Sequence, residues 1–477
     1  MSDNPIDKIL HARSVAIVGA SPTGNWGGGG FLAGLVNYNF KGKIYPVNPK
    51  YTEAMGQKVY PSLLDIPGQV DYVISCVSAN RVLEILEQAV QKEAKAAHLF
   101  TARLAETGRE EGIETERKIL ELSRRSGMRL IGPNCMGIYS PADGIAFHGD
   151  FPKECGPVGL VSQSGMLARE IVKNSPLRGV YFSKVFSYGN AIDLDETDFL
   201  DYLADDRETS VILCYIEGTK NGSGLFKSLK YATARKPVVL LKGGRGQSGE
   251  RATASHTASM AGSSGTWESL IKQTGAVLAD NVEELIDLAV TFRFLPPVKG
   301  SRVGVAGGAG GSSVLAADAC ERARLDVVPL SDGFRQELKT RGVSVWDWLG
   351  NPADLSIRED DSLSVGLVLE MMARDPDFDL LIAIMGMPGG PPGKPGLSPD
   401  EMMKQQYRLD VTRSKPFLGV VADKSIGIDD EDDFEWKGLR RTRTSLINLG
   451  VPFYPTIDRA AVAARKAYEY YQRLGQE

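Results

Sequence analysis

Short apolar runs recur along the chain, and most of them end in glycine or a small polar residue. SVAIVGA (14–20) is followed at wide intervals by KIYPVNP, DYVISCV and MRLIGPN. A continuous apolar run predicts a strand buried on both faces, as in a parallel sheet. Between these runs, NRVLEILEQAVQKEA and ETERKILELSRRSG space their apolar residues with the helical period. Strand and helix in alternation predict a doubly wound α/β domain over 1–145. GPVGLVSQSG, TSVILCYIEG and KPVVLLKGG predict a second series over 146–297, closed by LPPVKGS as a linker. RVGVAGGAGGSS, FDLLIAIMGM and KPFLGVVAD predict a third over 298–477. The expected fold class is therefore α/β, with three doubly wound domains. MPGGPPGKPGLSP (387–399) predicts a surface loop in the third series, and DDEDDFEW (429–436) a solvated acidic face.

Composition narrows the class. A chain of 477 residues exceeds one ordinary core, in keeping with several domains. A net charge of −5 gives no reason to expect a nucleic-acid partner. No apolar run has the roughly 18 residues of a membrane span, and MSDNPIDKIL lacks a basic-then-apolar leader pattern. The 5 cysteines are scattered without a C-x-x-C, as reduced thiols would be. A cytoplasmic protein is expected. Cys135 stands in a suggestive turn, GPNCMG, where a small buried residue is the simpler expectation.

In open α/β sheets, ligands bind where a strand turns into a helix. The first such junction, VGASPTGNWGGGG (18–30), is rich in glycine, so its amides can approach a phosphate at the helix start. Gly19 is not followed by x-G-x-x-G, so this is no dinucleotide fingerprint. The second strand ends in VNPK, placing Asn48 and Lys50 where an NAD domain carries Asp or Glu. A lysine there favours an extra phosphate, as in NADP or the 3′-phosphate of coenzyme A; a turn without a ligand is the alternative. VSQSGMLAREI (161–171) and VAGGAGGSSVLAADA (305–319) repeat the pattern. Each offers free helix amides to an anion, or simply a serine cap. G-x-S-x-G and the P-loop pattern are both absent.

His256 is one of only 4 histidines, set among small residues in RATASHTASMAG. No histidine, cysteine or carboxylate stands at metal-ligand spacing around it, and no conventional triad can be assembled, so no metal site is expected. A nucleophile, a proton carrier and an ordinary loop histidine remain open. Neutral imidazole is a competent nucleophile near neutral pH, and the small flanks leave room for a bulky phosphoryl group.

SVAIVGASP, GKIYPVNPK, AETGREEG, RLIGPNCMGI, GLVSQSG, YIEG, SHTASMAG and GNPADLS occur in this order. The ordered set, spanning nearly the whole chain, resembles the α subunit of NDP-forming acyl-CoA synthetases, relatives of succinyl-CoA synthetase. The resemblance implies a Rossmann-like CoA-binding domain followed by two flavodoxin-like ligase domains. It makes His256 the phosphorylated histidine and Glu217 the carboxylate at its other ring nitrogen. It assigns Ser162, Ser164 and Gly165 to the helix start that receives the phosphoryl group, with Gly310, Gly311 and Ser312 as the corresponding turn of the third domain. Gly19, Ser21, Thr23, Asn25 and Lys50 match the coenzyme A loop and its lysine. Glu106 matches a CoA-side position, and Asn134 lies near the thiol end. No ATP-grasp region is seen, so a separate ATP-grasp β subunit is implied, in an α2β2 assembly, with Mg²⁺ and ADP or ATP on that subunit.

The chain departs from the family at Ala102-Arg103, where relatives carry a small residue and glycine, at Arg169, where succinyl-CoA synthetases have a tyrosine, and in GGGG at 27–30. These departures bear on acyl specificity rather than phosphoryl chemistry. The implied reaction interconverts acyl-CoA, ADP and phosphate with a carboxylic acid, CoA and ATP, through an acyl phosphate and a phosphohistidine. A CoA-binding regulatory protein would share the first domain but have no use for SHTASMAG. An NADP-dependent oxidoreductase would need a hydride site, and the sequence displays none.

Overall fold

A computed structural model describes residues 4–24, 26–249, 251, 264–385, 397–422 and 434–475. His256 and Asn25 lie outside the described residues, as do most of 387–399 and of 429–436. The chain forms two compact units, Met1–Leu285 and Ile286–Glu477, each taken by itself below.

The first unit holds two sheets. β1 (Ser14–Val18) and β2 (Lys43–Val47) pair in parallel, and a small ribbon of β3 (Glu53–Ala54) and β4 (Gln57–Lys58) follows. β5 (Tyr72–Ser75), β6 (Ala96–Leu99) and β7 (Arg129–Ile131) complete a parallel sheet in the order β2-β1-β5-β6-β7. β1 is buried along its whole length, as its apolar run requires. The helix Ala79–Gln91 buries Val82, Ile85, Leu86 and Ala89, a single stripe at helical spacing. The helix Glu110–Ser126 opens on Glu110 and Glu111, closes on Arg124 and Arg125, and stops at Gly127 with φ +75°; charge and cap both suit the helix dipole.

β8 (Gly137–Tyr139), β9 (Val158–Ser162), β10 (Phe182–Ser187), β11 (Val211–Ile216), β12 (Val238–Lys242) and β13 (Val277–Ala279) form the second sheet, ordered β13-β12-β11-β9-β10-β8. Only β8 runs antiparallel, against β10. The second unit holds β14 (Arg302–Gly307), β15 (Asp326–Val327), β16 (Leu380–Ile384), β17 (Phe417–Val420) and β18 (Phe453–Tyr454), all parallel, in the order β15-β14-β16-β17-β18.

Among parallel strands, the three sheets share one order: the second strand lies outside the first, and the third, fourth and fifth extend the other way. The direction of winding reverses between the first and third strands. Ligands bind at the carboxyl ends of the strands flanking that reversal. The three positions are β1/β5, β9/β11 and β14/β16, and each is followed by one of the small-residue turns read from the sequence.

Candidate active site

At the first reversal, β1 gives way to Gly19 (φ +91°), whose amide donates to Val47 O at 2.9 Å. Asn48 ties the two loops together, its Nδ2 donating to Ala20 O at 2.7 Å and its Oδ1 accepting from Lys50 N at 3.0 Å. Ser21 Oγ donates to Thr23 O at 2.8 Å and closes the turn. The GGGG run has a packing reason. A Cβ on Gly28 would stand 2.1 Å from Gly19 O, and one on Gly29 would stand 2.6 Å from Thr23 O. Only bare backbone lets the helix Gly27–Asn37 press against this loop. A cavity of about 350 Å³ opens beside it, lined by Gly19, Ser21, Asn48, Lys50 and Arg81 among others. Arg81 is a second cation that the sequence reading missed; it sits on the first turn of the helix after β5. Two cations and a close-packed glycine loop fit a ligand carrying several phosphates.

Cys76, Val77 and Ser78 are shared with a second cavity of about 500 Å³, which reaches Asn134, Gln163, Ser164 and Gly165. The two adjoin at these three residues, and together, called the channel here, their linings reach from the first sheet's reversal to the second's. Asn134 takes φ +57° in the GPNC turn. Cys135 lies buried beside it, and burial alone pushes its thiol well above the ordinary range, so it stays a protonated core residue. Glu106 does not line either cavity. Its carboxylate accepts from Arg103 N at 2.5 Å, from Leu104 N at 3.0 Å and from Asn190 Nδ2 at 3.0 Å, so it shapes the turn that borders the channel.

At the second reversal, β9 ends in Ser162, whose Oγ donates to Ser164 O at 2.8 Å. Ser164 caps the helix Gly165–Asn174, its Oγ accepting from Leu167 N at 3.3 Å. Both hydroxyls therefore build the helix start, and the free amides of its first turn face the larger cavity. Gln163 was not foreseen. Its Oε1 accepts from Glu217 N at 2.7 Å and Gly218 N at 3.1 Å, locking the end of β11 beside the end of β9.

Glu217 is 7% exposed, far from the solvated acid that a strand end suggests. Tyr215 donates its hydroxyl to Oε1 at 3.1 Å, and Lys242 Nζ donates to the Glu217 carbonyl at 2.8 Å. Oε2 is buried with no hydrogen-bond partner among the described residues. Nearby, Glu196 opens the helix Glu196–Asp205 and is also buried. Burial, with Asp195 adding to it, pushes its carboxyl up to about 7 against the opposing Thr219 hydroxyl and Lys220 ammonium.

In the second unit, β14 ends in Gly307 and is followed by Gly308, with φ of +106° and +82°. Ser312 Oγ accepts from Ala309 N at 2.8 Å and donates to Ala309 O at 2.7 Å, closing the start of the helix Gly310–Arg322. A Cβ on Gly311 would meet open space, whereas one on Gly310 would lie 3.2 Å from an Asp354 carboxylate oxygen. Among the described residues, no group of acidic, histidine or cysteine side chains could hold a metal ion, and no helix is long and apolar enough to cross a membrane.

Comparison with known proteins agrees with this layout. Residues 13–141 match a CoA binding domain, and residues 155–292 match a succinyl-CoA ligase like flavodoxin domain. The α subunit of the ADP-forming acetate–CoA ligase II of Pyrococcus furiosus is 35% identical, over 98% of this chain and 99% of that protein. The ADP-forming acetate–CoA ligase of Methanocaldococcus jannaschii is 39% identical over 67% of this chain, a match that spans only 44% of its own length. The dinucleotide-forming acetyl-coenzyme A synthetase 1 of Candidatus Korarchaeum cryptofilum, solved with phosphate and ADP, superposes with a TM-score of 0.79 at 28% identity, over 98% of this chain and 97% of that one. With a CoA-binding sheet, a flavodoxin-like ligase sheet and end-to-end likeness to a subunit of this kind, the chain belongs to the NDP-forming acyl-CoA synthetases as a catalytic α subunit that works with a separate subunit.

Proposed function

We propose that the chain performs the thioester and first phosphoryl-transfer steps of acyl-CoA + ADP + phosphate ⇌ carboxylic acid + CoA + ATP. Glu217 is the observation that carries this reading. A carboxylate oxygen buried without a partner is costly unless a donor reaches it. It stands at the second reversal, at the end of the strand beside the helix start of Ser164 and Gly165. The N–H of a histidine ring is such a donor, and His256 is proposed to supply it.

Coenzyme A enters as a substrate. Gly19, Ser21 and Lys50, with Arg81 added, line the cavity that would hold its nucleotide end, Thr23 and Asn25 being proposed beside them, and the thioester would lie towards Asn134. A phosphate oxygen, oriented by the amides after Ser164, attacks the thioester carbonyl. The C–S bond breaks, the thiolate leaves and takes up a proton, and an acyl phosphate forms. The unprotonated nitrogen of His256 then attacks phosphorus, and the carboxylate leaves with the bridging oxygen. The ring's other N–H donates to Glu217, whose charge offsets that of the phosphoimidazole. Gly310, Gly311 and Ser312 would offer a second helix start to the phosphoryl group. Transfer to ADP with Mg²⁺ falls to the partner. The M. jannaschii relative is more than twice as long as its matched segment, which supports a nucleotide site in a second polypeptide here.

With the partner and γ-labelled ATP, the chain should take up label that survives alkali and is lost in mild acid. His256→Asn should abolish both labelling and turnover. Glu217→Gln should slow turnover on the order of a hundredfold, the scale of losing one group that stabilises developing charge. Acid-labile label persisting in His256→Asn would overturn the assignment.

A further inference from the structure

Gln163 sits between the end of β9 and the cap of the helix Gly165–Asn174. It is 5% exposed, and it lines the cavity of about 500 Å³ together with Ser164 and Gly165. Its carboxamide can take only one orientation. Glu217 N at 2.7 Å and Gly218 N at 3.1 Å both donate to the same side-chain atom, and only the oxygen accepts. The other atom is therefore Nε2, with two N–H donors, and it meets no acceptor among the described residues. The main chain beneath is fastened as well, since Gln163 N donates to Tyr215 O at 3.0 Å. An almost buried amide donor without a partner is costly. Its place on a cavity wall points to an acceptor carried by the ligand.

The proposed reaction brings two kinds of acceptor to this cavity, the oxygens of phosphate and the carbonyl oxygen of the thioester. The main-chain amides at the helix start serve the phosphate. The carbonyl oxygen still needs a donor, most of all when phosphate adds to the carbon and the π electrons move onto that oxygen. We propose that Gln163 Nε2 donates to this oxyanion, which makes Gln163 a catalytic residue of the thioester step. This rests on the proposed function, in which phosphate meets the thioester in this cavity. When the addition product collapses, the C=O bond re-forms and the C–S bond breaks; the thiolate leaves with the electron pair and takes up a proton. The two amides on Oε1 polarise the carboxamide and strengthen its N–H donors. They also hold it in place before the charge develops, as an oxyanion donor requires. One side chain thus serves both steps: its oxygen fixes the end of β11 beside Glu217, and its nitrogen faces the thioester.

The test uses the chain with its β subunit, acetyl-CoA, and arsenate in place of phosphate. An acyl arsenate hydrolyses in water, so the thioester step is read alone as free thiol. Gln163→Glu keeps an oxygen for the two backbone amides and puts a second oxygen where the N–H donors stood. It should lower kcat for thiol release on the order of a hundredfold, the scale of losing one oxyanion donor, with KM for arsenate within about threefold. Label uptake from γ-labelled ATP should fall far less, by about threefold. Gln163→Met, which adds no charge, should repeat the loss in kcat and should also slow labelling, because the Glu217 backbone loses its clamp; it stands in if Gln163→Glu melts early. Undiminished thiol release in either variant would overturn the inference. So would a loss confined to KM for arsenate, which would put the donor on the phosphate, or a loss of label in Gln163→Glu as deep as the loss of thiol release. A wild type that neither releases thiol nor takes up label would instead sink the synthetase reading beneath it.

Discussion

Glu196 shows how far one buried group can depart from what its sequence position suggests. In DLDETDFL it reads as an acid in the first turn of a helix, where the dipole favours its charge. Burial outweighs that and pushes it up to about 7. An unfolded glutamate ionises near about 4.3, so the folded protein keeps a proton that the unfolded chain has lost. The resulting stabilisation is full below about 4.3 and disappears as pH rises through about 7. Glu196→Gln should therefore melt higher than the wild type at pH 8, by at most roughly 3 kcal/mol of stability, and match it near pH 4. Equal melting at pH 8 would show that the folded protein solvates or pairs the charge. The burial of Glu217 was not legible, since a strand-end acid reads as solvated. Gln163, Arg81 and Glu196 were not legible at all, because polar side chains at strand ends and first helical turns are ordinary until a fold brings them together.

Several of the elements that the sequence revealed, such as β1, β9 and β14, have a largely apolar run. Two that escaped carry a polar residue that the fold buries. β6 is AAHL, with His98 wholly enclosed; burial pushes its imidazole down to about 4, and Nε2 meets Cys135 O at 3.0 Å. β10 is FSKVFS, buried throughout, and its Lys184 is neutralised by Asp206 at 3.0 Å and Glu208 at 2.6 Å. Such pairing is a tertiary event that no local pattern announces. GGGG looked like a departure without a cause and proved to be the contact face of a helix. Gly28→Ala should force that helix off the Gly19 loop, costing about 1–3 kcal/mol as overpacking does. Coenzyme A titration should show weaker binding together with the lower melting point; unchanged CoA binding would mean that the loop and helix do not act as one cradle.

On the scale of the whole molecule, the three α/β series were visible because each sheet repeats the same alternation. The strand order was not, since it depends on which face each crossover takes. The switch points nonetheless fell where the first strand of each series runs into its small-residue turn. Under the proposed function this repetition divides the work: the first unit would hold coenzyme A and the Glu217 edge, and nucleotide chemistry would fall to another polypeptide. The rigorously purified chain should bind coenzyme A yet make no ATP from acyl-CoA, ADP and phosphate, and should gain that activity when the β subunit is added. ATP synthesis by the chain alone would show a nucleotide site within it.

β8 gives the first unit a further property. The stretch from β7 to β8 leaves one sheet and joins the edge of the next, and between the two it passes Asn134, Cys135 and Met136 along the channel wall. Met136 N donates to Ser187 Oγ at 3.1 Å, fastening that wall to β10. Trp26 and Phe100 in the same lining follow strands of the first sheet, and Gly165 and Met166 follow β9 of the second. The channel is thus inherited jointly. A recombinant gene that joined the first sheet of one homologue to the second of another would receive two half-walls selected for different acids, so new acyl preferences in this lineage should arise by point substitution along the channel rather than by exchange of domains.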